Sequence, residues 1–272
     1  MINSFVKRWL TGILLAAILL AVIIFASAEI LAAIITIFII GGVWEYNRIV
    51  FGKGFLKEKI EVTIFAIVIP AVVLFGGAST SQLLVSVLTF CILCVFILFL
   101  WSVKESTFDV LLVAKVIFGI MYIPLLTSHF ILLRLLENGV YWILLVLIIA
   151  IVGDTAGLYI GKYFGKNKLS TLVSPGKTIE GTIGLVFGSV AGSFIFSHFF
   201  FRDVSGVHIL IISFVGSIIG QLGDLCESAI KRNYGLKDAS SLLPGHGGLL
   251  DRMDSLIFIA PFVYYYRIFV IG

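Results

Sequence analysis

Four carboxylates, Asp224, Glu227, Asp251 and Asp254, fall within one stretch near the C-terminal end of a 272-residue chain. Lys231, Arg232, Lys237 and Arg252 are interleaved with them, and Pro244-Gly245-His246-Gly247-Gly248 lies between the two acidic pairs. Oxygen ligands of this kind suit Mg²⁺, which takes one or two carboxylates and shares its remaining positions with water and phosphate. An acidic set beside a basic set is what a metal-bound polyphosphate requires. The backbone N–H groups of Gly245, Gly247 and Gly248 can approach phosphate oxygens closely, as anion-binding nests do. A helix beginning near Gly248 would add its N-terminal dipole. His246 is open to several readings: a phosphate contact, a partner that orients a carboxylate, a general base, or an ordinary loop histidine.

A second group lies upstream. Asp154 precedes Lys162 by eight positions and Asp224 precedes Lys231 by seven, both inside apolar segments. At about 1.5 Å per helical residue, each sits roughly 10–12 Å below the charged end of its segment. Carboxylates at that depth cost several kcal/mol unless a cation or a water-filled cavity receives them. Matching depth points to one shared pocket. Asp224 and Asp251 are expected to meet across the turn between their segments. Ser174-Pro175-Gly176-Lys177-Thr178 reads as a capped helix start with Pro175 at its first position, from which Lys177 and Thr178 can meet phosphate. It is not a Walker A loop, because the required glycine spacing is absent. Any one of these acids is equally well explained by a salt bridge, such as Glu227 with Lys231 or Asp251 with Arg252. The basic residues taken alone mark only a cytoplasmic loop.

The elements that carry these residues are set by composition. Sixty per cent of residues are hydrophobic and 12% are charged, against about 25% charged in a soluble domain. Nine segments are long and apolar enough to span a bilayer: 9–27, 29–46, 60–76, 82–101, 111–133, 140–161, 181–200, 207–230 and 255–270. The expected architecture is an all-α polytopic membrane protein of about nine helices. Helices satisfy every backbone group within one segment, so helix is preferred even over β-branched runs such as Ile34–Ile40. With the N-terminus in the cytoplasm, all of the 19 lysines and arginines except Arg134, Arg202 and Arg267 face inward. Lys7, Arg8, the apolar run and Ala26-Ser27-Ala28 resemble a secretory signal, but the run is long and an uncleaved first helix is expected. Cys91 and Cys94 have no second pair to complete a zinc site and read as packing residues. Residues 1–135 are expected to form an N-terminal set of transmembrane helices. Residues 136–272 are expected to form the catalytic region, with a pocket open to the cytoplasm. An ion- or proton-coupled transporter is the alternative, since intramembrane acids also serve as relays. Against it, the acids lie in one half only, whereas transporter sites recur in paired repeats.

The stretch Ser228-x-x-Lys231-Arg232-x4-Lys237-Asp238-x-Ser240-x3-Pro244-Gly245-His246-Gly247-Gly248-x-x-Asp251-Arg252-x-Asp254 resembles the signature of phosphatidate cytidylyltransferases, the CDP-diacylglycerol synthases. Asp154-Thr155, Gly161-Lys162 and Ser174-Pro175-x-Lys177-Thr178-x-Glu180-Gly181 are similar to two further motifs of that family. Two departures from it are visible: Ala156-Gly157-Leu158 stands where Gly-Ala-Tyr is usual, and Gly176 where a second lysine is frequent. The resemblance covers about 150–272 and implies that CTP and phosphatidic acid give CDP-diacylglycerol and pyrophosphate, with one or two Mg²⁺. It implies metal ligation by Asp224 and Asp251, with Asp254 and Glu227 as further ligands. Lys177, Lys231, Arg232 and Arg252 would hold phosphates, with Lys237 and Thr178 beside them. Gly245, Gly247 and Gly248 would cradle the triphosphate or lipid phosphate, His246 would join the catalytic set, and Asp154 would line the cavity. The implied setting is a bacterial inner membrane with the site facing the cytoplasm. The bilayer is the implied partner, a homodimer is left open, and no nucleic acid is expected.

Overall fold

The computed structural model describes residues 17–103, 109–242 and 247–272. Pro244, Gly245 and His246 lie outside the described residues, as do Lys7, Arg8 and Lys104. Helical residues 17–25 (α1) are followed by α2 (Ala28–Phe51), α3 (Leu56–Phe75), α4 (Thr80–Val103) and α5 (Val110–Ile120). After α5 come a π-helical turn (Met121–Leu125), α6 (His129–Leu135) and α7 (Gly139–Phe164). Two short strands, β1 (Lys168–Ser170) and β2 (Ser174–Thr178), precede α8 (Ile179–Phe200), α9 (Gly206–Asn233) and α10 (Leu250–Tyr266). Leu, Ile, Val and Phe dominate the helices. Among the described residues, seven segments are long and apolar enough to cross a membrane. The other two expected spans are the α1 region, described only in part, and α3, whose first turns carry Lys57, Glu58, Lys59 and Glu61. The expected span 111–133 is one continuous passage through α5, the π turn at Pro124 and α6. A proline removes an intrahelical hydrogen bond, and a π turn accommodates the loss.

The helices start where short polar side chains cap them. Ser27, Asp109, Thr178 and Ser205 each accept from a backbone N–H two or three residues on. Glycine lines the contact between α7 and α8. A Cβ on Gly157 would sit 3.0 Å from the Gly181 carbonyl oxygen, and one on Gly188 would collide with Ala156 Cβ. Small residues let helix backbones approach within a membrane, where no hydrophobic drive separates protein from lipid. The Ser189 hydroxyl then donates across the contact to the Ile149 carbonyl at 2.7 Å.

The apolar cores cross the chain's midpoint. Leu250, Met253 and Ile257 of α10 pack with α2, α3 and α5, while α7, α9 and the rest of α10 share a second cluster. Large apolar side chains such as Phe90, Leu100, Phe187 and Phe199 are exposed, as a surface facing lipid requires. The C-terminal ends of α2, α7 and α9 meet the N-terminal ends of α8 and α10 at one end of the bundle. Among the described residues, Lys162, Lys177, Lys231 and Arg232 are carried at that end.

Candidate active site

The hairpin is where local reading and structure part. Ser174–Thr178 is a strand, not a helix start. It pairs antiparallel with β1, Lys168 opposite Thr178 and Ser170 opposite Ser174. In a two-stranded ribbon both strands are edges, so Pro175 needs no missing partner. The N-cap of α8 is Thr178, extended at φ −125 and ψ 157, whose Oγ1 accepts from Gly181 N at 3.0 Å. Glu180 in the first turn reaches back. Its carboxylate accepts from Lys166 N, Asn167 N and Asn167 Nδ2, the last at 2.8 Å. The Lys168 ammonium donates to the Pro175 carbonyl at 2.8 Å. The hairpin is thus strapped across the ends of α7 and α8.

Between the hairpin, α7, α8 and α9 lies a cavity of about 670 Å³, within the range of small-molecule sites. Asp154 and Lys162 line it from α7, Lys177 and Thr178 from the hairpin, and Gln221 and Asp224 from α9. The Lys177 ammonium stands 2.5 Å from Asp224 Oδ2, and both side chains are about a quarter exposed to the cavity, at 22% and 26%. Asp154 and Asp254 lie within electrostatic reach of Asp224. Asp254 Oδ1 accepts from Ser255 N at 2.7 Å.

The remaining predicted residues form a second, closed arrangement. The Lys231 ammonium is held between Glu227, one turn earlier on α9, and Asp251 Oδ1 of α10 at 2.5 Å. Glu227 is fully buried. Asp251 Oδ2 accepts from Ala239 N at 3.0 Å and Gly248 N at 2.7 Å, and Oδ1 from Ala239 N at 3.2 Å. Gly247 has φ +80, a conformation that favours glycine. Arg232 braces backbone: its Nε donates to the Val173 carbonyl in the hairpin, and its Nη1 to the Leu236 carbonyl. Lys237 and Arg252 are exposed at the same end. Of the backbone donors expected to form a phosphate nest, Gly245 lies outside the described residues and Gly248 N is taken by one of the protein's own carboxylates. Gly248 N serves Asp251, while Leu249 N and Leu250 N donate to Glu45 of α2 at 2.8 and 2.7 Å.

Glu45 escaped the sequence reading because it stands only three positions before Arg48, near the end of its apolar segment, where the argument from depth that singled out Asp154 does not reach. It is nevertheless completely buried. Glu61, two positions after Lys59, is a second buried acid of the N-terminal half.

Asp224, Glu227, Asp251 and Asp254 are therefore not gathered into one ligand set. Asp224 takes Lys177, and Asp251 takes Lys231. Among the described residues, no three His, Cys, Asp or Glu side chains converge closely enough to hold a metal ion. The donors at the cavity nevertheless have the right chemistry: Asp154 and Asp224 line it, Asp254 lies within electrostatic reach, and these three carboxylates, which offer only oxygen, outnumber the ammonium groups of Lys162 and Lys177. Hard divalent cations take such ligands, completing their shell with water and phosphate.

Fold and site define a class: a polytopic α-helical membrane protein in which acids and lysines of α7, the hairpin and α9 face one cavity. The chain belongs to the cytidylyltransferase family, whose model matches residues 6–270. It is 36% identical over 162 residues to a phosphatidate cytidylyltransferase of Bacillus subtilis, 59% of this chain and 60% of that one. It is 43% identical over 140 residues to one of Haemophilus influenzae, 49% of this chain and 48% of that one. A Staphylococcus haemolyticus protein of the same name is 37% identical over 161 residues, 59% of this chain and 58% of its own. The matched region thus spans about half to three fifths of these relatives' length.

Proposed function

We propose that the protein transfers the cytidylyl group of CTP to phosphatidic acid, giving CDP-diacylglycerol and pyrophosphate. The observation that carries this reading is the cavity walled by the Lys177–Asp224 pair, in a chain whose relatives bear the name of that activity. A lipid phosphate oxygen attacks the α-phosphorus of CTP. The new P–O bond forms as the bond to the β-phosphate oxygen breaks, and pyrophosphate leaves. The nucleophile is already an anion, so positioning and charge neutralisation are needed more than a strong base. Lys177 is placed to exchange its carboxylate partner for a phosphate. Lys162, on the same wall, adds a second cation. Asp224, with Asp154 and Asp254, would hold Mg²⁺, which supplies neutralisation of the triphosphate's charge. Asp251 would join them only by giving up one of its present partners. A cavity facing the cytoplasm lets phosphatidic acid keep its chains in the inner membrane while its phosphate meets a soluble nucleotide.

The test is product formation by purified protein from labelled CTP and phosphatidic acid in mixed micelles, with and without chelator. Labelled CDP-diacylglycerol that disappears on chelation supports the reading. Its absence from folded, metal-replete protein ends it.

A further inference from the structure

Glu45 reaches the C-terminal machinery from the far end of the sequence. Its Oε1 accepts from Ser240 Oγ at 2.5 Å and from Leu249 N at 2.8 Å. Its Oε2 accepts from Leu250 N at 2.7 Å. The first N–H groups of a helix have no partner within it and carry the positive end of its dipole. A carboxylate supplied by another helix answers both needs at the start of α10.

The neighbouring residues are shaped around this contact. A Cβ on Gly248 would lie 2.7 Å from Glu45 Oε1, and one on Gly41, a turn earlier on α2, would lie 2.7 Å from Leu249 Cδ2. Small residues on both sides thus clear the approach. On the other side of the same helix start, Asp251 takes Gly248 N, Ala239 N and the Lys231 ammonium. The N-terminus of α10 is held between two carboxylates, one on α2 and one its own. The helix so held carries Asp254, which lies within electrostatic reach of Asp224 and Asp154 at the cavity.

We infer that Glu45 is a positioning residue: by anchoring α10 and Ser240 to α2, it sets where Asp251, Lys231 and Asp254 stand relative to the cavity. The inference rests on the reading of that cavity as a cytidylyl-transfer site. It gives the N-terminal helices a part in the chemistry, although Glu45 touches no reacting atom. Misplacement of a site by about 1 Å costs on the order of 100-fold in rate.

Glu45→Gln keeps the shape and one acceptor oxygen but removes the charge. In the full-length protein it is expected to lower kcat per folded molecule by about 10- to 100-fold. KM for CTP should stay within about threefold, because Lys177 and Asp224 are untouched. Glu45→Asp should recover part of that loss. Hydrogen exchange followed by mass spectrometry gives a readout independent of turnover: amides of 248–253 should exchange faster in Glu45→Gln, and those of α7 and α8 should not. An unchanged kcat per folded molecule, or a loss matched by the folded fraction alone, overturns the inference. If Glu45→Gln does not insert, Ser240→Ala removes one donor from the same carboxylate, and a kcat unchanged by it likewise overturns the inference. If the parent protein makes no product, the transfer reading fails by itself. The anchor is then judged by exchange, and unaltered protection at 248–253 overturns it.

Discussion

Lys177 and Asp224 pair at 2.5 Å in the wall of the cavity, one on a hairpin strand and the other on α9. Lys231 and Asp251 make an ion pair of the same length a short way along α9, but in a nearly closed interior. The two lysines are chemically alike and differ in exposure, so they should fail differently when replaced.

Lys177→Met is expected to change stability by less than about 1 kcal/mol, since the pair is partly exposed and screened. Its loss should appear in turnover, as a fall in kcat/KM for CTP of about 100-fold or more. Thermal unfolding in detergent, measured beside steady-state kinetics, separates the two effects.

Lys231→Met leaves Glu227 and Asp251 facing each other without their shared cation. Breaking a buried ion pair on one side costs about 3–5 kcal/mol. The variant should lose much of its folded fraction in size-exclusion chromatography, and Lys177→Met should not.

Asp224→Asn removes one charge from the carboxylates around the cavity while keeping their volume. It should abolish product formation or raise the Mg²⁺ concentration for half-maximal activity by about tenfold or more, with the folded yield retained. Titrating Mg²⁺ into chelator-treated protein checks this. Full activity at the parent's Mg²⁺ requirement would remove Asp224 from the metal site.

Thr178→Ala should cost about 1 kcal/mol through the lost N-cap of α8, and Thr178→Ser should not. If the threonine only caps, activity per folded molecule is unchanged in both variants. A change in KM for CTP at constant stability would add a substrate contact.

Gly188→Val puts a branched side chain into the space that Ala156 occupies. Overpacking of this kind costs about 1–3 kcal/mol. It should also disturb the cavity, because α7 and α8 form two of its walls. Reduced thermal stability together with reduced turnover is the expected pair of results.

The membrane class was legible because helix formation in lipid is local. Each segment satisfies its own backbone, and hydropathy over about 20 residues reports it. Asp154 and Asp224 were legible from depth alone, and both line the cavity. The hairpin was not. Ser174-Pro175 serves a capped helix or an extended strand equally well, and the choice went to the residue pairing of β1. Glu45 was overlooked because its partners are 195 to 205 positions away. Nothing in its own neighbourhood names them.

The order of residues by itself determined that this chain spans a membrane in many helices and carries its ionisable groups mainly at one end. It also determined a set of acids and bases suited to a cation and a phosphate. Only the tertiary structure decided which acid meets which base. Lys177 went to Asp224, Lys231 to Glu227 and Asp251, and Glu45 to the start of α10. The physical reason is range: hydropathy and backbone hydrogen bonding act within a turn or two of helix, whereas the partner of a buried charge depends on which helix lies beside it.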